Sequence, residues 1–194
     1  MSSTLIPWPT RTWTTPPKAV EHDGGDLLVT AREESDAWRI TSYGFIHDTE
    51  HALVTDLPVG TAMEVVFTAD FREQFDQAGL FVVASKEEWV KAGVEFADGH
   101  PQVGAVVTHG HSDWSVAPVD EWAGRRVRVR VSRGDDALTV RAGIDGEPLA
   151  LVRVAYWPGH LTTQAGPFTC APTRAGLTVR FHEWLSSEAD GSLH

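Results

Sequence analysis

Alternation of apolar and polar residues with a period of two recurs along this chain, and it constrains the fold more than any other feature. From Arg126 to Ser132, Val127, Val129 and Val131 fall on one face, and Arg126, Arg128 and Arg130 on the other. That is the signature of a strand with one buried and one polar face. Gly134, Asp135 and Asp136 then supply a turn. Leu138, Val140, Ala142 and Ile144 alternate against Thr139 and Arg141 up to Asp145-Gly146, a strong hairpin signal. With residues 149–156, these segments predict a three-stranded antiparallel meander. Met63 to Asp70 and Leu177 to His182 alternate in the same way, whereas residues 78–84 (AGLFVVA) are apolar on both faces, as in a central strand. Residues 89–96 and 103–108 read as further strands around the turn Asp98-Gly99.

Around a dozen short strands separated by turn signals predict an all-β, two-sheet antiparallel sandwich or a barrel. Lys86-Glu87-Glu88 suits one helical turn at most, and no phosphate-binding glycine motif or βαβ rhythm occurs. A chain of 194 residues fits one domain large enough to bury roughly two-thirds of its unfolded surface. The reading is one domain over residues 1–194, with an ordered core at about 13–184, arms at 1–12 and 185–194, and a Pro-rich stretch from Pro7 to Pro17. The lone Cys170 cannot form an intramolecular disulfide and reads as a small buried hydrophobe in a reducing compartment. Pro7, Pro9 and Arg11 interrupt any signal-peptide core, so a cytoplasmic location is expected. A net charge of −11 argues against nucleic-acid and anionic-membrane partners.

Candidate functional residues cluster in three segments. In EWVKAGVEF (88–96) the pleat sends Val90, Ala92, Val94 and Phe96 to one side and Trp89, Lys91, Gly93 and Glu95 to the other. An indole, an ammonium and a carboxylate beside a glycine make a plausible ligand floor. Four residues separate Lys91 from Glu95, about 13 Å along a strand, too far for direct pairing. Gln77 of FDQAGLFVV (75–83) would join them if the two strands are neighbours, offering a donor and an acceptor at once. A cross-strand network that only stabilises the sheet is the alternative. The segment HGHSDWS (109–115) reads as a loop. His109 and His111, with Asp113 and His100, are weak metal candidates because their spacing matches no zinc signature, and Trp114 could close a groove. Asp36, Trp38, Tyr43 and Phe45 form an aromatic-acidic stretch suited to a sugar or to a protein hot spot. No cofactor is expected.

FDQAGLFVV, EWVKAGVEF and GAVVTHGHSDWS (104–115), with DAWRITSYGF (36–45) and RAGLTVRF (174–181), resemble the regulation-of-enolase-like family over roughly Trp13 to Trp184. The family has no known molecular function and is assigned a concanavalin A-like lectin/glucanase fold. The resemblance implies a jelly-roll sandwich and points to Asp76, Gln77, Trp89, Lys91, Glu95, Ser112, Asp113 and Trp114, without settled roles. Ligand-binding candidates are therefore Gln77, Trp89, Lys91, Glu95, Ser112, Asp113, Trp114, Trp38 and Tyr43, with Glu95 and Lys91 the catalytic candidates. Three functions follow as expectations: a non-catalytic binding domain for a carbohydrate or carbohydrate-like small molecule, a glycoside hydrolase or lyase using Glu95 with a second acid such as Asp113 or Asp36, and a protein-binding regulator of a metabolic enzyme such as enolase. The acid string E-x-D-x-x-E used by glucanases of this fold is absent, which disfavours hydrolysis.

Overall fold

In a computed structural model, residues 3–8 and 12–193 are described. The strands in chain order are β1 (Thr4–Leu5), β2 (Thr12–Trp13), β3 (Ala19–Asp23), β4 (Asp26–Thr30), β5 (Ala37–Arg39), β6 (Ile46–Asp48), β7 (His51–Asp56), β8 (Thr61–Thr68) and β9 (Gln77–Ser85), followed by β10 (Glu88–Ala97), β11 (His100–His109), β12 (His111–Pro118), β13 (Arg126–Arg133), β14 (Ala137–Ile144), β15 (Ala150–Tyr156), β16 (Gln164–Cys170) and β17 (Thr178–Glu188). They form a two-sheet antiparallel sandwich. The back sheet has the order β15-β14-β13-β8-β17-β4-β3, with β1 also on β17; the front sheet has the order β12-β11-β10-β9-β16-β7-β2. The hairpin β5–β6 stands apart from both as a two-stranded sheet.

The pleat explains what lies between the sheets. Val127, Val129 and Val131 from β13, Val65 and Phe67 from β8, and Val179 and Phe181 from β17 meet Ala78, Leu80 and Val82 from β9, and Val90, Ala92 and Val94 from β10, in one apolar core. The meander β13–β14–β15 forms as expected, turning at Gly146 with φ 87°. Arg128 and Arg130 point away from this core into an ion-pair ladder with Glu64, Asp145, Glu183 and Asp190.

The double-sided apolar character of β9 also has a structural cause. A second apolar cluster covers the outer face of the front sheet: Ala37 and Trp38 from β5 pack on Ala52, Val54, Phe81, Trp89, Val106, Phe168 and Cys170. Burial on both faces, rather than centrality alone, removes the polar alternation from 78–84.

Three local expectations are corrected. Lys86-Glu87 forms the hairpin turn between β9 and β10 rather than helix. The segment 109–115 is not a loop: Gly110, at φ 71°, turns β11 into β12, and residues 111–115 lie in the strand. Residues from Leu185 onward do not begin a free arm, because β17 continues to Glu188 between β8 and β1. Beyond it, the Asp190 carboxylate accepts from Arg130 and Arg141. At the other end, Trp8 donates its indole N–H to the Gly25 carbonyl and stacks on Trp184, and Trp13 pairs with Leu53; residues 9–11 lie outside the described residues. Among the described residues, no helix is long and apolar enough to cross a membrane.

Candidate functional site

Register assembles the floor of the site. Glu95 stands opposite Gln77 on β9 and Gln102 on β11; Gly93 stands between Gly79 and Gly104; Lys91 stands between Phe81 and Val106. Trp114 on β12 continues the Lys91–Val106 row. Three adjacent strands thus place glycine in one row, and the sheet has a trough there instead of a ridge of side chains. Side chains are also sterically barred: a Cβ on Gly79 would land on the Ala92 carbonyl oxygen, and one on Gly93 on that of Ala78. Val94, one step out of phase with Glu95, is in the main core, and Phe96 packs against it.

The hairpin β5–β6 supplies the far wall. Its base is fastened to the front sheet through Arg39, whose backbone N–H donates to Ser112 Oγ at 2.9 Å, while its guanidinium donates to the Gly110 carbonyl and to Glu87 at 3.2 and 2.8 Å. Its tip folds back through Ile40, Ser42 and Gly44 at φ 64°, 63° and 74°. A β-branched residue in the left-handed region is strained; here the conformation stacks Tyr43 on Phe45, with ring centroids 5.2 Å apart. Tyr43 also meets Trp38 edge-on.

Between hairpin and sheet lies a cleft of about 250 Å³, lined by Asp36, Trp38, Tyr43, Phe45, Phe75, Gln77, Lys91, Glu95, Val106 and Trp114. Its polar centre is organised by Asp36. Asp36 Oδ1 accepts from Lys91 Nζ at 2.8 Å, from Gln77 Nε2 at 3.3 Å and from the Ala37 N–H at 2.8 Å. Gln77 spends its second N–H on the Phe75 carbonyl at 3.1 Å. Lys91 is only 5% exposed. Burial works against its ammonium, but the charges of Asp36 and Glu95 outweigh burial and hold its pKa above the usual lysine value. Glu95 behaves oppositely. Burial pushes its carboxyl up to about 7, with Lys91 opposing and Asp36 and Asp98 adding to the rise. Its carboxyl has no hydrogen-bond partner among the described residues. Several groups in the cleft therefore keep unspent capacity: two Lys91 N–H donors, Gln77 Oε1, Asp36 Oδ2 and the whole Glu95 carboxyl.

The structure brings together Gln77, Lys91, Glu95, Trp114, Trp38 and Tyr43, and it separates the other candidates from the cleft. Trp89 shares the pleat face of Lys91 but is buried beneath the hairpin, stacked on Phe81 with centroids 5.5 Å apart. Ser112 is buried and bonded to Thr108 and Arg39, so it positions the hairpin instead of facing the cavity. Asp113 pairs with Arg153 of β15. Asp76 is fully buried, accepting from Arg174 and from the backbone N–H groups of Arg72 and Glu73. His100 and His109 sit at opposite ends of β11, about 30 Å apart for nine residues of strand. His109 has both ring nitrogens engaged, with Glu88 and with the Tyr156 carbonyl. Among the described residues, no group of three or more His, Cys, Asp or Glu is placed to hold a metal.

Comparison with known proteins locates the chain. Residues 13–189 match the family described as "Protein of unknown function (DUF1349)". The chain belongs to this family. It is 35% identical over 189 residues to Regulation of enolase protein 1 of Saccharomyces cerevisiae, spanning 94% of this chain and 92% of that protein. A crystal structure of a functionally unknown protein from Saccharomyces cerevisiae superposes with a TM-score of 0.87 at 34% identity, over 93% of this chain and 97% of that one. A GH43 glycoside hydrolase superposes with a TM-score of 0.70 at 14% identity, over 97% of this chain and 41% of the enzyme; that likeness is one of fold.

Proposed function

We propose that the cleft binds one carbohydrate ring, or a small molecule with the same display of hydroxyls. The observation that carries this reading is the pairing of aromatic walls with a floor of unspent polar groups. Trp38, Tyr43 and Phe45 stand on the hairpin side and Trp114 on the sheet side, while Lys91, Gln77, Asp36 and Glu95 offer donors and acceptors between them. Sugars present apolar C–H faces and a rim of hydroxyls that donate and accept, and both features find partners here. A volume of about 250 Å³ lies below the 300–1,000 Å³ of drug-sized sites, so it suits one ring better than a chain of them. Thermal-shift and NMR titration with mono- and oligosaccharides test this. Binding abolished by Trp114→Ala, with the fold intact, supports it; binding unaffected by that change rejects the cleft.

A second reading rests on the yeast relative, whose name assigns it to regulation of enolase. On that reading this chain contacts a metabolic enzyme, and the exposed Tyr43, Phe45 and Ile46 of the hairpin are the surface to test. Affinity measurement with purified enolase, with Tyr43→Ala and Phe45→Ala as controls, decides it.

A further inference from the structure

We infer that the cleft does more than bind: resting on the carbohydrate reading above, the geometry points to acid–base catalysis on a carbonyl sugar, with Glu95 moving the proton and Lys91 holding the oxygen that becomes negative. The two groups differ in what the fold has done with them. Lys91 is fixed by Asp36 at 2.8 Å and retains two N–H donors. Glu95, on the same strand face and lining the same cavity, has no hydrogen-bond partner among the described residues. Glu95 is only partly buried, so its carboxyl is open to the cavity and to whatever occupies it. A carboxyl that must gain and release a proton needs to stay untied and near its midpoint at working pH, and burial has brought Glu95 to about 7. A fixed donor aimed where charge develops is the complementary half of such a site.

The step runs on the open-chain form, which the bound ring reaches by ordinary hemiacetal opening (the anomeric C–O bond breaks and the anomeric hydroxyl proton passes to the ring oxygen), and it balances without a cofactor. The Glu95 carboxylate takes the proton from the hydroxyl-bearing carbon next to the carbonyl. The C–H electron pair becomes the new C=C bond, and the carbonyl π pair moves onto oxygen, where a Lys91 N–H donates to it. Return of the proton from Glu95 to the same face of the same carbon regenerates the sugar, with exchange against solvent marking the event. Return to the former carbonyl carbon, with the hydroxyl proton passing between the two oxygens, gives the aldose–ketose isomer. The substrate class is an unphosphorylated aldose or ketose. Lys91 is the one cation among the lining residues, and Asp36 already neutralises it; a phosphate would remain uncompensated.

The test is solvent exchange. The full chain is incubated in D₂O near neutral pD with D-glucose, D-mannose, D-fructose, D-xylose or D-xylulose. Proton NMR follows loss of the signal next to the carbonyl, and ligand-detected NMR follows binding in the same samples. The expected result is exchange above the protein-free rate for a sugar that binds, reduced about 100-fold or more in Glu95→Gln while binding persists. A sugar that binds in a Trp114-dependent way and exchanges no faster than in buffer overturns the catalytic inference and leaves the binding reading standing. Failure of every sugar to bind removes both.

Discussion

Replacing Glu95 with glutamine should stabilise the protein at pH 8 and do almost nothing at pH 4. The carboxyl titrates at about 7 in the fold against 4.5 as a free side chain, chiefly because burial disfavours its charged form. Between those two values the folded state holds a proton that the unfolded state has released, so stability falls as pH rises across the window. Below 4.5 both states are protonated and nothing is lost; above 7 the full cost is present. At about 1.4 kcal/mol per tenfold change in proton affinity, the difference comes to about 3 kcal/mol, and to about 2–3 kcal/mol once partial solvent contact is allowed for. Glutamine keeps the shape and carries no charge, so the variant should escape this cost. For a chain of this length the gain amounts to roughly 4–12 °C in Tm at pH 8, shrinking to well under half of that at pH 5. Urea unfolding of both proteins at pH 4, 5, 6, 7 and 8 measures it. A difference that is constant across the series, or a variant that is less stable at pH 8, refutes the argument that Glu95 is held protonated by its surroundings.

Four further outcomes are expected. Asp36→Asn should cost about 3–5 kcal/mol by leaving the Lys91 ammonium buried without its counter-ion, and pairing it with Lys91→Met should recover most of that in denaturant unfolding. Glu50, also buried and raised to about 7, should show the same sign of pH effect in Glu50→Gln, adding to that of Glu95→Gln when the two are combined. Gly93→Ala should destabilise by about 2 kcal/mol or more, because its methyl meets the backbone of β9 and not a side chain that can move; unchanged urea unfolding would contradict this. Trp114→Ala, at a residue 39% exposed, should leave stability within about 1 kcal/mol while removing sugar-dependent thermal shifts.

The sandwich was legible because its strands obey a local rule. Val127 to Val131 and Val90 to Val94 announce their buried side by parity alone, and that parity put Lys91, Glu95 and Gln77 together on one outer surface. The same rule misled for Trp89. Parity states which side of the sheet a residue faces, and it is silent on whether another element covers that side. The covering element is β5–β6, and its placement depends on the Arg39–Ser112 contact between residues 73 positions apart. The counter-ion role of Asp36 was hidden for the same reason, since 55 residues separate it from Lys91. Asp113 and Ser112 looked like loop residues beside Trp114; once the segment is a strand, alternation sends Asp113 to the opposite side. The glycine row was visible only in part: Gly79, Gly93 and Gly104 are unremarkable singly and become a trough only when the register aligns them.

The front sheet has oily packing on both of its surfaces, so the residues around the cleft are not the ones that hold the two layers together. Substitutions under the hairpin can reshape the cavity while the interior that holds the two layers together stays as it is.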